Sequence, residues 1–389
     1  MPALALLDAP AAVGLEALRA RVKATARRRP GVYQFLDANG NVFYVGKAKD
    51  LRARLLSYFS APWPDSKSAH LVRAAADIVW HYQPSEFAAL LEELRLIARL
   101  RPFSNVRGNR TRRRMVFVKL TGGAAPKLKV SEHTADRAAR YYGPFQSHWR
   151  TADAVRVLSD LLRLRDCAQD RPMRFAGQGD LFGASEPAAC LRHELGTCLG
   201  PCAAKCTAEA YRDAVAHAAA FLESRAVAPL DRVVDAMAEA SDAHDFERAA
   251  AWREKLEALE SLFAAVSRLR AATEALTFVY AVRDRTGAGK GGGGGGGGGG
   301  GRHDDRVYLV HRGMVRDLAP WPKTPIERGA FAASVERWAS QGTGGPAAHT
   351  APEMDELLLV TSWFRQHPEE FESTTPLAEW LSAGTGAAR

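Results

Sequence analysis

The chain has 389 residues, 47% hydrophobic and 25% charged, which is ordinary for a globular protein of two or three domains. Residues 1–150 hold 26 Lys and Arg against 11 Asp and Glu, whereas residues 151–389 hold 27 against 33, so the basic first part predicts a polyanionic partner. No apolar run reaches transmembrane length and the start lacks the basic segment of a signal peptide. These features predict a cytoplasmic protein with no membrane partner.

The first predicted elements are a helix, a hairpin and a second helix. Residues 13–29 are predicted to form the first helix. Two runs rich in Val, Phe and Tyr then flank Asp37-Ala38-Asn39-Gly40, and Asn-Gly supplies the positive φ angles that a tight hairpin turn favours. Residues 49–59 are predicted to form the second helix. The sequence therefore predicts a small mixed platform near the start of the chain.

The hairpin carries residues that indicate a chemical function. The triplets Gly31-Val32-Tyr33 and Tyr44-Val45-Gly46 stand at matching places in the two strands, and Lys47 and Arg54 follow. Two tyrosine hydroxyls, a lysine and an arginine on one platform can hold a phosphodiester. The whole run resembles the GIY-YIG nuclease module, in the version that opens UvrC, the incision subunit of bacterial nucleotide excision repair.

A helix predicted from Ser85 onward carries two adjacent carboxylates, and helical geometry separates them. At about 100° per residue, Glu92 lies opposite the apolar stripe, where it is predicted to pair with Arg95 and Arg99. Glu93 lies at the stripe's edge. A carboxylate at the border of a core is better placed to bind a metal than one in solvent. The resemblance implies the same residue. In UvrC-like modules the metal-binding glutamate stands twelve positions before an asparagine, and here Glu93 stands twelve positions before Asn105.

The resemblance implies metal-dependent hydrolysis of DNA, in which Glu93 holds one Mg²⁺ or Mn²⁺. Tyr44 or Tyr33 would take a proton from the attacking water, which requires the metal or Lys47 to lower a pKa of about 10, and Tyr44 is favoured. Arg54 would stabilise charge on the phosphate. The predicted catalytic residues are Tyr33, Tyr44, Lys47, Arg54, Glu93 and Asn105.

Contacts to the DNA backbone are predicted mainly from a basic loop that follows this helix. Strands are expected over residues 115–120 and 127–130, a structural turn at Tyr141-Tyr142-Gly143-Pro144-Phe145, and a helix over residues 151–164. Packing is the preferred role of the aromatics in that turn, although they could also stack on a base. The predicted DNA-binding residues are Lys49, Arg107, Arg110, Arg112, Arg113 and Arg114.

All five cysteines of the chain lie within forty residues: Cys167, Cys190, Cys198, Cys202 and Cys206. Disulfides are not expected in the cytoplasm, so metal or cluster binding is the natural interpretation. The segment resembles the cysteine-rich part of UvrC, which implies an iron–sulfur cluster on Cys167, Cys190, Cys198 and Cys202. An insert over residues 175–187 stretches the first gap, so Cys206 remains an alternative to Cys167. Zinc remains an alternative to iron.

Residues 207–270 are predicted to be helical and to contain a hairpin. Its residues resemble the UVR motif, which implies binding to a UvrB partner, with UvrA acting upstream. Phe246 and Arg253 are the predicted partner-binding residues. The alternative is a hairpin that packs only on its own core.

The last part is predicted to contain strands over residues 276–283 and 306–311 and helices over residues 330–338 and 353–364. Eleven consecutive glycines over residues 291–301 are predicted to form a flexible linker. The fold class is α+β: a small α/β nuclease domain, a cysteine-rich linker, a helical hairpin region and a small strand and helix segment. The predicted boundaries are 1–29, 30–107, 108–165, 166–206, 207–272 and 273–389.

The resemblance favours a structure-directed endonuclease of nucleotide excision repair. Neither the ribonuclease-H-like domain nor the helix-hairpin-helix repeats of UvrC are found here, so a single incision of the 3′-side type in damaged double-stranded DNA is expected, as in the single-incision homologue Cho. Two alternatives stay open. One is a catalytically silent DNA- or protein-binding adaptor, and the other is a stand-alone GIY-YIG nuclease outside repair.

Overall fold

The computed structural model describes residues 12–105, 115–177, 190–282, 305–340 and 348–386. The chain forms two compact units. The first comprises Met1–Asn109, Leu276–Gly342 and Glu356–Arg389, and the second comprises Arg110–Ala275 and Thr343–Asp355. Within the described ranges no helix is long and apolar enough to cross a membrane.

Helices and short antiparallel sheets make up both units, so the predicted α+β class is confirmed. The helices are α1 (Ala12–Thr25), α2 (Leu51–Phe59), α3 (Lys67–Ala74), α4 (Glu86–Leu100), α5 (His148–Leu161), α6 (Leu191–Glu194), α7 (Ala208–Leu222), α8 (Ala228–Asp242), α9 (Phe246–Glu274), α10 (Pro325–Ala339), α11 (Ala351–Gln366) and α12 (Leu377–Gly386). The strands are β1 (Gly31–Leu36), β2 (Val42–Ala48), β3 (Asp77–Tyr82), β4 (Val116–Leu120), β5 (Leu128–Ser131), β6 (Arg140–Phe145), β7 (Phe278–Val282), β8 (Arg306–His311), β9 (Met314–Pro320) and β10 (Thr374–Thr375).

The first unit begins with the predicted hairpin. Its antiparallel sheet has the order β2-β1-β3. Gly40 adopts a φ of 80° in the turn, and the Asp37 carboxylate accepts from the backbone N–H groups of Asn39 and Asn41 at 2.9 and 2.8 Å. The short polar side chain and the glycine thus fix the register in which Tyr33 lies opposite Gly46.

Helix α4 is packed on two sides within the first unit. Ser85 caps it, since its hydroxyl accepts from the Ala88 N–H at 3.1 Å. Ala89 and Leu96 pack against the β1–β2 hairpin. Phe87, which is fully buried, packs against a second sheet with the order β10-β7-β8-β9. Because both sides are held, the direction in which α4 presents each remaining side chain is fixed.

The second unit is built on a third sheet and a group of helices. The sheet has the order β5-β4-β6, and its core contains residues of α5, α7, α8 and α9. Tyr211 of α7 is fully buried and its hydroxyl donates to the Pro126 carbonyl at 2.8 Å. This pairing ties the helical part of the unit to the loop between β4 and β5.

Two sequence expectations need correction, and one strand was missed. Tyr141–Phe145, expected as a turn, lies in strand β6, where Tyr141 and Tyr142 are buried, so the packing role was right and the backbone conformation wrong. Helix α1 ends at Thr25 rather than at residue 29. Strand β9 was not predicted, because its central residues are only half-buried and their burial lacks the strict alternation that marks a strand. The six predicted segment boundaries stay predictions.

Candidate active site

Three tyrosine hydroxyls and the Arg54 guanidinium form one hydrogen-bonded cluster on the β1–β2–α2 platform. The Tyr33 and Tyr58 hydroxyl oxygens are 2.7 Å apart, and Tyr58 donates to Tyr44 at 3.5 Å. Arg54 donates from Nε to the Tyr33 hydroxyl and from Nη2 to the Tyr58 hydroxyl, each at 3.3 Å. Tyr33, Tyr44 and Arg54 were predicted from the sequence. Tyr58 was missed, although its position four residues after Arg54 on one helix face was the available signal.

Gly46 leaves the room that this arrangement needs. A Cβ atom at this position would lie 2.4 Å from the Tyr33 hydroxyl oxygen. No side chain fits at that distance. The glycine of the second triplet is thus explained by the tyrosine of the first, which lies opposite it in the β1–β2 register.

Glu93 lies beside this cluster, half-buried on α4. Burial raises the pKa of its carboxyl group to about 7, although the positive charges of Lys47 and Arg54 and the Lys47 backbone N–H act in the opposite direction. The negative charge of Glu93 also contributes to raising the pKa of Tyr44, after the larger effects of burial and of Tyr58. These mutual effects place Glu93 within reach of Lys47, Arg54 and Tyr44.

Glu92 lies in a different environment from its neighbour. Burial raises the pKa of Tyr308 in the second sheet, and the negative charge of Glu92 adds a smaller increase. The predicted pairing of Glu92 with Arg95 needs correction, because the Arg95 guanidinium binds Glu356 at 3.2 Å and also the Val315 carbonyl. The long arginine side chain reaches a carboxylate and a carbonyl of the C-terminal segment, which no sequence pattern could indicate.

Burial raises the pKa of both candidate base tyrosines above the ordinary value, with further contributions from neighbouring tyrosines. Both are neutral phenols near neutral pH. The Tyr33 hydroxyl is almost fully buried and already contacts Tyr58 and Arg54, whereas Tyr44 is half-buried. Tyr44 is thus the more accessible of the two to a reactant.

Lys47 is held at two points by the same helix. Its ammonium lies 3.1 Å from the Glu86 carboxylate, and its backbone N–H donates a hydrogen bond to the Glu93 carboxyl group. Glu86 also pairs with Lys49 at 3.4 Å. Glu86 was not among the residues predicted for the site. Glu86 and Glu93 are seven residues apart and thus share a helix face, which was a usable signal. Lys49 is exposed, so its ammonium is accessible to a polyanion while it pairs with Glu86.

Asn105 acts on the backbone of strand β2. Its amide nitrogen donates to the Val45 carbonyl at 2.7 Å, and its amide oxygen accepts from the Val45 N–H at 2.8 Å. The side chain therefore pairs with the outer edge of the sheet as another strand would. This contact holds the segment after α4 against the strand that carries Tyr44 and Lys47.

Four of the five cysteines lie close enough for their charges to affect one another's pKa, and the fifth, Cys167, lies beside an arginine. Burial raises the pKa of Cys198, and Cys190 and Cys202 add to this effect; burial also raises the pKa of Cys206 to about 11, with Cys198 and Cys202 adding. Cys167 accepts a hydrogen bond from Arg165 at 3.5 Å. Over the described ranges, His, Cys, Asp and Glu form no group of three or more arranged to hold a metal ion.

The two predicted partner-binding residues lie on the outside of helix α9. Asp245 caps the helix by accepting from the Arg248 N–H at 3.1 Å. Phe246 follows and is 67% exposed. Arg253 is also exposed, and its Nε atom lies 3.9 Å from a carboxylate oxygen of Glu257. The first residue of α9, the second helix of the hairpin, therefore presents an aromatic ring to solvent rather than to a core. The predicted DNA-binding residues Arg107, Arg110, Arg112, Arg113 and Arg114, and the glycine run 291–301, lie outside the described residues.

Sequence comparisons divide the chain into three known segments. Residues 29–106 match the UvrC-like GIY-YIG domain. The chain carries a UvrC-like GIY-YIG endonuclease domain. Residues 115–221 match the middle domain of the UvrC/Cho excinuclease, and residues 229–262 match the UvrB/uvrC motif. The resemblance seen in the GIY-YIG residues is thus confirmed and extends through helices α8 and α9.

Curated relatives of this chain include the UvrABC system protein C of Dechloromonas aromatica (strain RCB), 33% identical over 61% of this chain and 38% of that protein. The corresponding protein of Sphingopyxis alaskensis is 36% identical over 63% of this chain and 36% of its own length. The chain spans about two fifths of the length of the relatives it matches. Among solved structures, the magnesium-bound GIY-YIG N-terminal endonuclease domain of UvrC from Thermotoga maritima is 33% identical, covering 22% of this chain and 93% of that one, with a TM-score of 0.20.

Proposed function

We propose that the protein is a structure-directed DNA endonuclease that makes a single metal-dependent incision, of the 3′-side type, near a lesion in double-stranded DNA. The observation that carries this proposal is the convergence of Glu93, Lys47, Arg54 and the tyrosine hydroxyls on one side of the GIY-YIG domain. A carboxylate, two cations and a phenol are the groups that phosphodiester hydrolysis requires. The UvrC-like middle domain and the UVR motif support a role in excision repair.

The residues of the site fit a magnesium or manganese ion. Mg²⁺ prefers oxygen ligands, keeps several waters and is commonly bound through one or two carboxylates together with substrate phosphate. Glu93 is a half-buried carboxylate whose pKa is raised because its charge is incompletely compensated. A divalent cation at this oxygen would supply that compensation and would polarise the phosphate. The magnesium bound to the Thermotoga maritima domain supports the same assignment.

Each side chain of the site has a separate role in the proposed hydrolysis. Tyr44, the more accessible tyrosine, would act as the base in its ionised form: the local positive charge would lower its raised pKa so that the hydroxyl releases its proton to solvent, and the phenolate oxygen would then take the proton of the attacking water. Arg54 holds Tyr33 and Tyr58 in place and directs its charge at the phosphate. Lys47 positions the phosphate from the other side, and Asn105 holds strand β2 in register with α4.

A pH dependence of metal binding follows from the pKa of Glu93, which is about 7. Below that pH the carboxyl group is protonated and neutral, so a proton competes with the cation. The Mg²⁺ concentration for half-maximal nicking should rise about tenfold between pH 8 and pH 6 and should change little above pH 8. Single-turnover nicking at several Mg²⁺ concentrations measures this. Equal half-saturation at pH 6 and pH 8 would contradict the assignment of Glu93 as the ligand.

We propose that the cysteine segment binds an iron–sulfur cluster on Cys190, Cys198, Cys202 and either Cys167 or Cys206, with zinc as the alternative. Protein purified without oxygen should be brown, with broad absorption in the visible range and iron in the preparation. Cys167→Ser and Cys206→Ser then identify the fourth ligand, because only the ligand variant should lose iron. Colourless protein that contains zinc would assign the site to zinc, and protein without either metal would overturn the proposal.

The UVR-like hairpin is proposed to bind UvrB through Phe246. Because the ring is 67% exposed, Phe246→Ala should leave the melting temperature unchanged and weaken UvrB binding by about 2 kcal/mol, or ~30-fold. Ile326→Ala is the matched control, since Ile326 is 85% exposed on helix α10 outside the hairpin. Titration calorimetry with UvrB measures the affinities. A lowered melting temperature with no change in UvrB affinity would assign Phe246 to packing.

The two alternative functions make different predictions in one assay. The protein is incubated with a duplex that carries one lesion and a 5′ label on the damaged strand, with and without UvrA and UvrB. The proposed function predicts one Mg²⁺-dependent cut on the 3′ side of the lesion. A silent adaptor binds without cutting, and a stand-alone nuclease cuts undamaged DNA equally well.

A further inference from the structure

A groove in the second unit carries positive charge and has no assigned role. It lies between the start of helix α5 and the last third of helix α9, with a volume of about 530 Å³. Pro144 and Phe145 of strand β6 form part of its wall, and Leu262, Ala265 and Leu269 are the apolar residues that α9 contributes. The volume falls within the range of ordinary ligand sites, and a nucleotide fits in it.

The charges that line the groove are all of one sign. Arg150 and Arg268 are its only charged lining residues, and both are exposed. Among the described residues neither guanidinium has an ion-pair partner. By contrast Arg156, on the same helix α5, pairs with Asp153 at 2.8 Å and with Asp160. Two unpaired arginines in one groove match the charge of a phosphodiester backbone, because guanidinium groups bind phosphate oxygens through paired donors.

An exposed aromatic ring directly precedes Arg150 in the chain and lies beside the groove, outside the residues that line it. Trp149 precedes Arg150 in the first turn of α5. It is 75% exposed, which is the largest exposed fraction of any tryptophan in the described part of the chain. A large exposed ring next to cationic groups is typical of platforms on which unpaired bases stack. The bases of a duplex are already stacked on one another, so the ring favours single-stranded over double-stranded DNA.

We propose that this groove binds single-stranded DNA, with Arg150 and Arg268 on consecutive phosphates and a base stacked on Trp149. The inference goes beyond the proposed incision, because it concerns a different unit of the chain and needs neither metal nor Glu93. It also gives a role to the Tyr-Gly-Pro-Phe stretch beyond packing, since Pro144 and Phe145 shape the wall. An acidic peptide is the competing occupant, and it would not require the aromatic ring.

The test measures binding of the full chain to a fluorescent twelve-nucleotide oligo(dT) without added divalent metal. The double variant Arg150→Ala/Arg268→Ala should weaken binding at least tenfold and reduce the slope of log K against log salt by about 1.4, or ~0.7 for each phosphate contact. Trp149→Ala should weaken binding at least fivefold and leave that slope unchanged. Arg156→Ala is the control and should bind as the unaltered chain does.

A second measurement uses the unaltered chain and so does not depend on the folding of any variant. The oligonucleotide carries 5-iododeoxyuridine, which crosslinks on irradiation to an aromatic ring stacked on it, and the adduct is located by mass spectrometry. The proposal predicts an adduct on the peptide that contains Trp149. Adducts found only elsewhere, an equal loss of binding in Arg156→Ala, or displacement of the DNA by poly-glutamate at equal charge would each overturn it. Because no cutting is measured, failure here leaves the proposed incision untouched.

Discussion

Replacing Glu93 by Gln should abolish metal-dependent nicking while DNA binding stays nearly unchanged. The amide keeps the shape and polarity of the side chain but removes the negative charge that would hold the cation beside Lys47 and Arg54. Since a metal ion contributes several kcal/mol to the stabilisation of charge in such reactions, the loss should be on the order of 10³-fold in single-turnover rate. Quenched reactions at saturating DNA measure the rate, and fluorescence anisotropy measures the binding.

Glu92→Gln is the matched control for this prediction. Glu92 is the adjacent residue on the same helix, has the same chemistry, and acts on Tyr308 rather than on the tyrosine cluster. Its nicking rate should stay within about twofold of the unaltered chain, as expected for a surface change away from the site. If both variants lose activity to the same extent, the assignment of separate faces of α4 to the two carboxylates is wrong.

Replacing Phe87 by Ala should be the most destabilising single change in the first unit. The ring is fully buried and lies edge-on to Tyr280 and Tyr308, with centroid distances of 5.2 and 5.3 Å, and it is 5.6 Å from Trp363. Truncation leaves a cavity between α4 and the second sheet, which costs about 3–5 kcal/mol. Because the same helix carries Glu93, the Mg²⁺ requirement for nicking should rise as well. Denaturant titration and nicking at graded Mg²⁺ concentrations measure the two effects.

Phe103→Ala serves as the control for the loss of an aromatic ring. Phe103 is 61% exposed and stacks only on Phe43, at a centroid distance of 5.7 Å. Its removal should change the free energy of unfolding by less than about 1 kcal/mol. A Phe87→Ala protein as stable as Phe103→Ala would mean that the second sheet does not hold α4.

Local patterns in the sequence predicted much of the GIY-YIG domain. Asn39-Gly40 marked the turn, and the alternation around it marked two strands whose register brings Tyr33 to Gly46. Helical spacing separated Glu93 from Glu92, and the structure places the two carboxylates near different groups. These features depend on interactions between residues close in sequence, which a single chain displays directly.

Contacts between distant segments were beyond the reach of the sequence. Glu86 was not predicted as a site residue, because its pairing with Lys47 depends on a contact across 39 positions. Arg95 was expected to pair locally and instead binds Glu356, which is 261 positions away. The aromatic surroundings of Phe87 likewise come from the C-terminal sheet. Such pairings are decided by the packing of whole elements and leave no periodic trace.

The most direct test of the central claim is the incision of a duplex that carries one lesion, by the unaltered chain and by Glu93→Gln, with Mg²⁺, UvrA and UvrB present. The damaged strand is labelled at its 5′ end in one reaction and at its 3′ end in a parallel reaction, so that the two labelled products together give the side and the number of cuts. The proposed function predicts a single product cut on the 3′ side of the lesion, dependent on Mg²⁺ and absent with Glu93→Gln. A second product cut on the 5′ side, or equal cutting by Glu93→Gln, would contradict it.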